Sequence, residues 1–261
     1  FTNKREDEYG GSFENRMRFG LEVMQGIRRA VGDDFPILVR MNGNDFMPGG
    51  NGRTDLQEYA QRLVAVGVDA LNINVGWHEA RIPQIITAVP QGAFAYLAKG
   101  IKQHVNVPVI ASHRINDPVL ARDLIADGMC DMVAMGRPLI ADPDLPEKAR
   151  TGREEEIVHC IACGQGCFDH LFQFKLIECL CNPLAGHERQ GSIQKADVVK
   201  KVMIVGGGPA GMNAALGLAD QGFGVVLVEK EKQLGGMAGR LHHTIEGADI
   251  RVYLQNLIER V

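Results

Sequence analysis

Outside one short stretch, this chain is almost without cysteine. Five of its six cysteines fall between positions 159 and 181, in HCIACGQGCFDHLFQFKLIECLC, and the sixth is Cys130. A signal-peptide pattern is missing too. Disulfide frameworks belong to short secreted domains, and a chain of 261 residues with one cysteine-rich patch does not fit that class. No apolar run approaches the roughly 20 residues needed to span a bilayer. No basic patch with interleaved aromatics marks a nucleic-acid surface. Neither sign of charge dominates, the net charge being −4, and 45% hydrophobic with 23% charged residues is an ordinary globular composition. A soluble, cytoplasmic protein that binds neither membrane nor nucleic acid is expected. The chain opens on Phe1 rather than Met and ends at Val261 inside a predicted helix, which reads as a piece of something longer.

What is present begins as a repeating unit. Residues 14–31 carry apolar side chains at near-helical spacing. FPILVRM (35–41) reads as a buried strand, and a loop rich in glycine leads to a helix over 54–66 with Thr54 as its N-cap. The cycle continues with a strand at 69–75, a helix near 92–104, a strand at 107–112, a helix over 117–127 and a strand at 131–136. Strands that are short and apolar on both faces, alternating with helices, imply a parallel sheet covered by helices. Each predicted strand runs into residues capable of chemistry: Arg40 on the first, GWHEAR after the second, SHR after the third and GRP after the fourth. Loops of that kind converge at the C-terminal mouth of a (β/α)8 barrel, whereas an open sheet concentrates its ligand contacts at one switch point. The fold class expected is therefore α/β, with half a TIM barrel over residues 1–150. From about 143 the pattern breaks into a polar, charged passage.

A second kind of order starts at residue 201. VMIVGGGPAG is an apolar strand running into Gly206, Gly208 and Gly211 at G-x-G-x-x-G spacing, followed by a helix over 212–221 and the strand GVVLVE, which ends on Glu229. The first glycine permits a tight turn, the second admits a pyrophosphate to the backbone, and the third lets helix and strand pack closely. Glu229 is placed to accept from a ribose hydroxyl. Three spaced glycines alone are a weak signal, but strand, helix, second strand and acid together mark a dinucleotide site. Gly235 and Gly236 favour FAD over NAD. Residues 201–261 thus read as the start of a Rossmann-like FAD-binding domain, and 151–200 as a separate metal-bearing segment and linker.

The cysteines are spaced Cys160-x2-Cys163-x3-Cys167-x11-Cys179, with Cys181 two residues further on. Zinc usually takes two paired motifs. Three close cysteines with a distant fourth, followed by Asn-Pro, are nearer to iron–sulfur ligation. A zinc knob stays open at this point, as does the choice between Cys179 and Cys181 as fourth ligand.

With these residues in view, the chain resembles the bacterial 2,4-dienoyl-CoA reductases, within the family of Old Yellow Enzyme-like barrels joined to FAD domains that also includes trimethylamine dehydrogenase. DEYGGSFENRMRF, GWHEARIP, RINDP, MGRPLIADP, CIACGQGC, CLCNP and VGGGPAG follow in the family's order across essentially the whole chain. The resemblance implies that Arg40 lies against the FMN ring, and that Arg114 and the Gly136–Arg137 pair hold the FMN phosphate. It makes His78 a proton donor to substrate carbon, and Cys160, Cys163, Cys167 and Cys179 the ligands of a [4Fe–4S] cluster. Cys181 then occupies a position the family usually gives to an apolar residue. Electrons would run from NAD(P)H through FAD and the cluster to FMN, which reduces a C=C bond of an acyl-CoA thioester or enone. Arg81 would hold its loop or touch the acyl-CoA, His113 would orient the Arg114 loop, and Cys130 would be a small buried hydrophobe. Two departures stand out: four further barrel units with a catalytic tyrosine, and the rest of the FAD and NAD(P)H domains, are absent from these residues. A homo-oligomer or a partner chain supplying the other half-barrel is one expectation, and inactivity of this piece by itself is another. The alternatives are an amine dehydrogenase of the trimethylamine type and a non-catalytic electron-transfer subunit.

Overall fold

The computed structural model describes residues 1–77, 79–190, 193–241 and 250–261. The chain divides into two compact units, Phe1–Ile85 with Val89–Met135, and Gly136–Val261 with Ile86–Ala88.

The first unit runs α1 (Phe13–Val31), β1 (Leu38–Asn42), α2 (Arg53–Ala65), β2 (Ala70–Asn74), α3 (Ala95–Lys102), β3 (Val109–Ala111), α4 (Pro118–Ala126) and β4 (Met132–Val133). Its four strands form one parallel sheet in the order β1-β2-β3-β4, because each strand is followed by a helix that carries the chain back to the same edge. The register pairs Leu38 with Ala70 through Asn42 with Asn74, and Ile73 with Ala111. Met41, Leu71, Ile73, Val109 and Ala111 face the helices and are buried against Leu56, Ala60 and Leu63 of α2 and Leu97 and Ile101 of α3. Cys130 joins this core at 1% exposure, the small hydrophobe expected of it.

Two local expectations are corrected. Two of the strands are not apolar on both faces: on β1 and β2 the face away from the helices carries Arg40, Asn42, Asn72 and Asn74, whereas β3 is apolar and buried throughout. The cap of α2 is Gly52 rather than Thr54, since the Asp55 carboxylate accepts the Gly52 N–H at 2.8 Å and draws the helix start forward.

The end of α1 is secured by one side chain. Arg28 donates to the carbonyls of Gly32 at 2.7 Å, Phe35 at 2.7 Å and Gly67 at 3.1 Å, and pairs with the Asp69 carboxylate. Asp69 also accepts from Ile37 N at 2.7 Å, so the entrances to β1 and β2 share one ion pair.

The second unit contains α5 (Arg137–Ala141), α6 (Leu145–Arg150), α7 (Phe168–Phe172), β5 (Lys201–Val205), α8 (Pro209–Asp220), β6 (Gly224–Val228) and α9 (Arg251–Arg260). The charged passage after 143 is therefore more ordered than its composition implied. Buried Asp142 organises it, accepting from Lys148 Nζ at 2.7 Å and from the N–H groups of Val158 at 2.8 Å and Asp144 at 3.1 Å. β5 and β6 are parallel neighbours joined through α8. Met212 of α8 packs on Leu254 and Leu257 of α9. No helix among the described residues is long and apolar enough to cross a membrane.

Candidate functional site

On the polar face of the first sheet, Arg40 is joined to a chain of amides. Its Nη2 donates to Asn74 Oδ1 at 2.6 Å, Asn74 Nδ2 donates to Asn42 Oδ1 at 2.8 Å, and Asn42 Nδ2 donates to Asp45 Oδ1 at 2.8 Å. Asp45 is held in turn by Asn51, whose N–H reaches its second oxygen at 2.8 Å. Asn72 pairs with Arg40 in the ladder, and its Oδ1 is buried with no hydrogen-bond partner among the described residues. None of Asn42, Asp45, Asn72 or Asn74 was singled out from sequence, although polar residues at alternate positions of LVRMN and ALNIN carried the signal.

The loop after β3 turns sharply, with His113 at φ 72° and Arg114 at φ 52°. Ser112 Oγ donates to Ile73 O at 2.5 Å and stands 2.9 Å from His113 Nδ1. Arg114 is buried, its Nε donating to Val89 O at 2.8 Å, so the chain fixes the base of its guanidinium. His78 lies outside the described residues.

Gly136 caps α5 in the second unit. Arg137, grouped with Gly136 from sequence, has its guanidinium 5.6 Å from the Phe168 ring centre and lines a recess with Cys160, Cys163, Cys167, Cys179 and Cys181. Two backbone features shape it. Ala162, between the first two cysteines, takes φ 55°, and its N–H points at Cys160 Sγ at 3.4 Å. Gly166 receives the Glu178 N–H on its carbonyl at 2.7 Å, and a Cβ there would lie 2.5 Å from Glu178 O. A bare backbone at 166 thus lets the segment carrying Cys167 lie against the one carrying Cys179. Asn182 holds the far side, donating to Ile140 O at 2.9 Å.

Burial pushes the Cys160 and Cys163 thiols up. Cys179 is pulled down to about 6 by the hydrogen bond it accepts from the Cys181 thiol, which is itself pushed up by the same contact and by burial. Among the described residues no three His, Cys, Asp or Glu side chains stand close enough to grip one metal ion.

The glycine motif is built as its spacing implied. Gly206 takes φ 109°, and a Cβ on Gly211 would lie 1.9 Å from Gly206 O. Gly208 caps α8 and Pro209 opens its first turn, where a missing N–H costs nothing. Glu229 follows β6, accepting from Gly207 N at 2.7 Å and Glu231 N at 3.0 Å, and these two N–H groups hold its carboxyl below the usual range. The later glycine pair belongs to the same loop system. Gly235 N donates to Gly207 O at 2.8 Å, and a Cβ on Gly236 would lie 3.1 Å from Gly208 Cα.

Comparison with known proteins agrees with this geometry. Residues 1–156 match the NADH:flavin oxidoreductase / NADH oxidase family, and residues 201–260 match the FAD dependent oxidoreductases. The chain is 48% identical over 235 residues to a metal reductase of Desulforamulus reducens, covering 90% of this chain and 35% of that protein. It is 39% identical over 254 residues to cinnamate reductase of Clostridium sporogenes, covering 90% of this chain and 38% of the other. A solved complex of 2-naphthoyl-CoA reductase with 2-naphthoyl-CoA superposes with TM-score 0.95 at 38% identity, over 99% of this chain and 40% of that one. The chain thus spans 35% to 40% of the length of these relatives. Its parallel sheet is the C-terminal half of a TIM barrel, its glycine motif opens a FAD-binding domain, and the chain belongs to the NADH:flavin oxidoreductase / NADH oxidase family of enzymes.

Proposed function

We propose that this chain is part of an oxidoreductase with FMN, FAD and a [4Fe–4S] cluster that reduces an activated C=C bond with electrons from NAD(P)H. The observation that carries the reading is the meeting of five thiols, from two separate stretches of chain, on one recess in the unit that also holds the glycine motif. The donor set suits the cluster. Thiolates are the ligands such a cluster takes, and these thiols come from two stretches of chain that meet on one recess. Cinnamate and 2-naphthoyl-CoA, in the names of the relatives, both carry C=C bonds conjugated to a carboxylate or thioester. The substrate assigned here is a small enoyl-CoA or enone.

In this reading residues 1–150 form the FMN half-barrel, 151–200 the cluster segment and 201–261 the FAD portion, with further barrel strands contributed by other residues or a partner chain. When bound, the flavins and cluster supply electron and hydride transfer. The chain's own residues bind and orient. Arg40 presents a cation on the polar sheet face, and the orphaned Asn72 Oδ1 beside it offers an acceptor, a pairing that fits a flavin ring with donor and acceptor edges. The phosphate assignments of Arg114, and of Gly136 and Arg137, rest on the motif resemblance alone. Cys160, Cys163, Cys167 and Cys179 hold the cluster, in keeping with a reducing cytoplasm. Gly206, Gly208 and Gly211 leave room for a pyrophosphate and Glu229 accepts from a ribose hydroxyl. His78 holds the proton delivered to substrate carbon.

The test is anaerobic purification of the full-length protein, followed by metal, sulfide and flavin analysis and by assay. About four iron and four sulfide per chain are expected from cubane stoichiometry, with NAD(P)H oxidation driven by an enoyl-CoA or enone. Zinc in place of iron, or turnover with a trialkylamine and not with enoyl substrates, would overturn the reading.

A further inference from the structure

We infer that Asn74 is a positioning residue for Arg40, locking its guanidinium on the sheet face through a one-way amide chain anchored at Asp45. The inference rests on the flavin reading of Arg40 and extends it to residues that the reading leaves without a role.

The geometry dictates the direction of every bond. A guanidinium only donates, and an ionised carboxylate only accepts. Between these two ends lie two carboxamides, each with one accepting and one donating side. Asp45 Oδ1 demands the NH2 of Asn42 (2.8 Å), which turns the oxygen of Asn42 toward the NH2 of Asn74 (2.8 Å). That leaves the oxygen of Asn74 facing Arg40 (2.6 Å). Reversing either amide sets oxygen against oxygen on one side and N–H against N–H on the other. Both ends therefore select the same sense, and each bond polarises the next. The far end is fixed as well, because the second oxygen of Asp45 takes the Asn51 N–H at 2.8 Å and Asn51 Nδ2 at 3.1 Å.

The strand register makes the chain possible. Asn42 and Asn74 are ladder partners, so their side chains lie side by side on one face, and Arg40 sits two residues before Asn42 on that same face. Among the described residues the bond to Asn74 is the only hydrogen bond the Arg40 side chain makes. A long arginine side chain has many rotamers; a single strong acceptor that cannot turn away selects one. Preorganisation of this kind matters where a cation must meet charge that develops on a ring, since a group already in place needs no reorganisation when the charge appears.

The experiment is a double-mutant cycle on the full-length holoenzyme, read as the two-electron midpoint potential of the FMN. Arg40→Met removes the cation and should lower the potential. Asn74→Ala should lower it too, by tenfold or more in the reduction equilibrium, which is about 30 mV for a two-electron couple. In the Arg40→Met background, Asn74→Ala should add nothing, because its effect passes through the arginine. Asn42→Leu, which cuts the chain one link further out, should give a smaller shift of the same sign and stands in where Asn74→Ala does not fold. A shift with Arg40→Met but none with Asn74→Ala or Asn42→Leu would overturn the positioning role and leave the flavin reading intact. So would equal Asn74→Ala shifts in both backgrounds. No shift with Arg40→Met would overturn the flavin reading of Arg40 and the inference with it.

Discussion

Gly166 shows how much one residue can carry. It stands between the second and third cysteines, where its carbonyl accepts from Glu178 N and its Cα leaves no room for a methyl group, the nearest backbone oxygen being 2.5 Å from a Cβ. The obstacle is backbone, so a side chain there cannot be relieved by a rotamer change. Gly166→Ala should destabilise the cysteine segment by about 1–3 kcal/mol, the usual cost of overpacking, and the anaerobically purified variant should retain markedly less iron than wild type. Gly164, two residues earlier, has only Phe168 Cβ at 3.9 Å in its way, although its φ of 76° also favours glycine. Full iron content and wild-type melting in Gly166→Ala would show that the two segments can separate without consequence. Cys181 sits at 4% exposure beside Ala141 and Val158, the other four cysteines of the segment are partly exposed, and all five line the recess.

Among the elements, the junction of α1 with β1 and β2 depends on a carboxylate whose ionisation the fold favours. Asp69 is held below its ordinary range first by the Ile37 N–H and then by Arg28. A depressed carboxylate contributes stability that is fully present above its unfolded value, near 4, and is lost as pH falls through the lower folded value. Wild type should therefore lose melting temperature on acidification below about pH 4. Asp69→Asn, less stable at neutral pH, should lose less over the same interval, so that the two melting curves converge in acid. Parallel decline would place the acid sensitivity elsewhere, with Asp131 the next candidate, since it is lowered in the same sense by Lys102 and by the Val109 N–H at the start of β3. Both carboxylates serve strand entrances. Asp117 serves a helix entrance, accepting from Val119 N at 2.8 Å at the start of α4, with Pro118 in its first turn.

At the scale of the molecule, the two units divide the proposed chemistry between them. The polar sheet face with Arg40 belongs to the first, and all four proposed cluster ligands and the glycine motif belong to the second. Bound groups stabilise the part of the fold that binds them. Removing iron from the full-length holoenzyme with a chelator should thus raise amide hydrogen exchange in residues 157–182 and in α5, which Asn182 ties to them. Exchange in β1, β2 and β3 should stay as it was. Equal loosening of both units would mean that the metal supports the whole protein and not the cysteine segment.

Much of this was legible in the chain because it is local. Helical spacing, the G-x-G-x-x-G run and the cysteine spacing involve residues close to one another in the chain, and short-range sterics and hydrogen bonding act on them whatever the remote chain does. The strands were found for the same reason, but their faces were not. Whether Asn72 and Asn74 point at helices or away from them depends on which neighbour pairs with which residue, and a one-residue change of register would reverse it. Tertiary structure also decided that Arg137 lines the thiol recess, that Gly166 must be bare because residue 178 passes over it, and that Arg40 reaches Asp45 through two amides borne on different strands. These are contacts between segments distant in sequence, selected by close packing, and no local pattern encodes them.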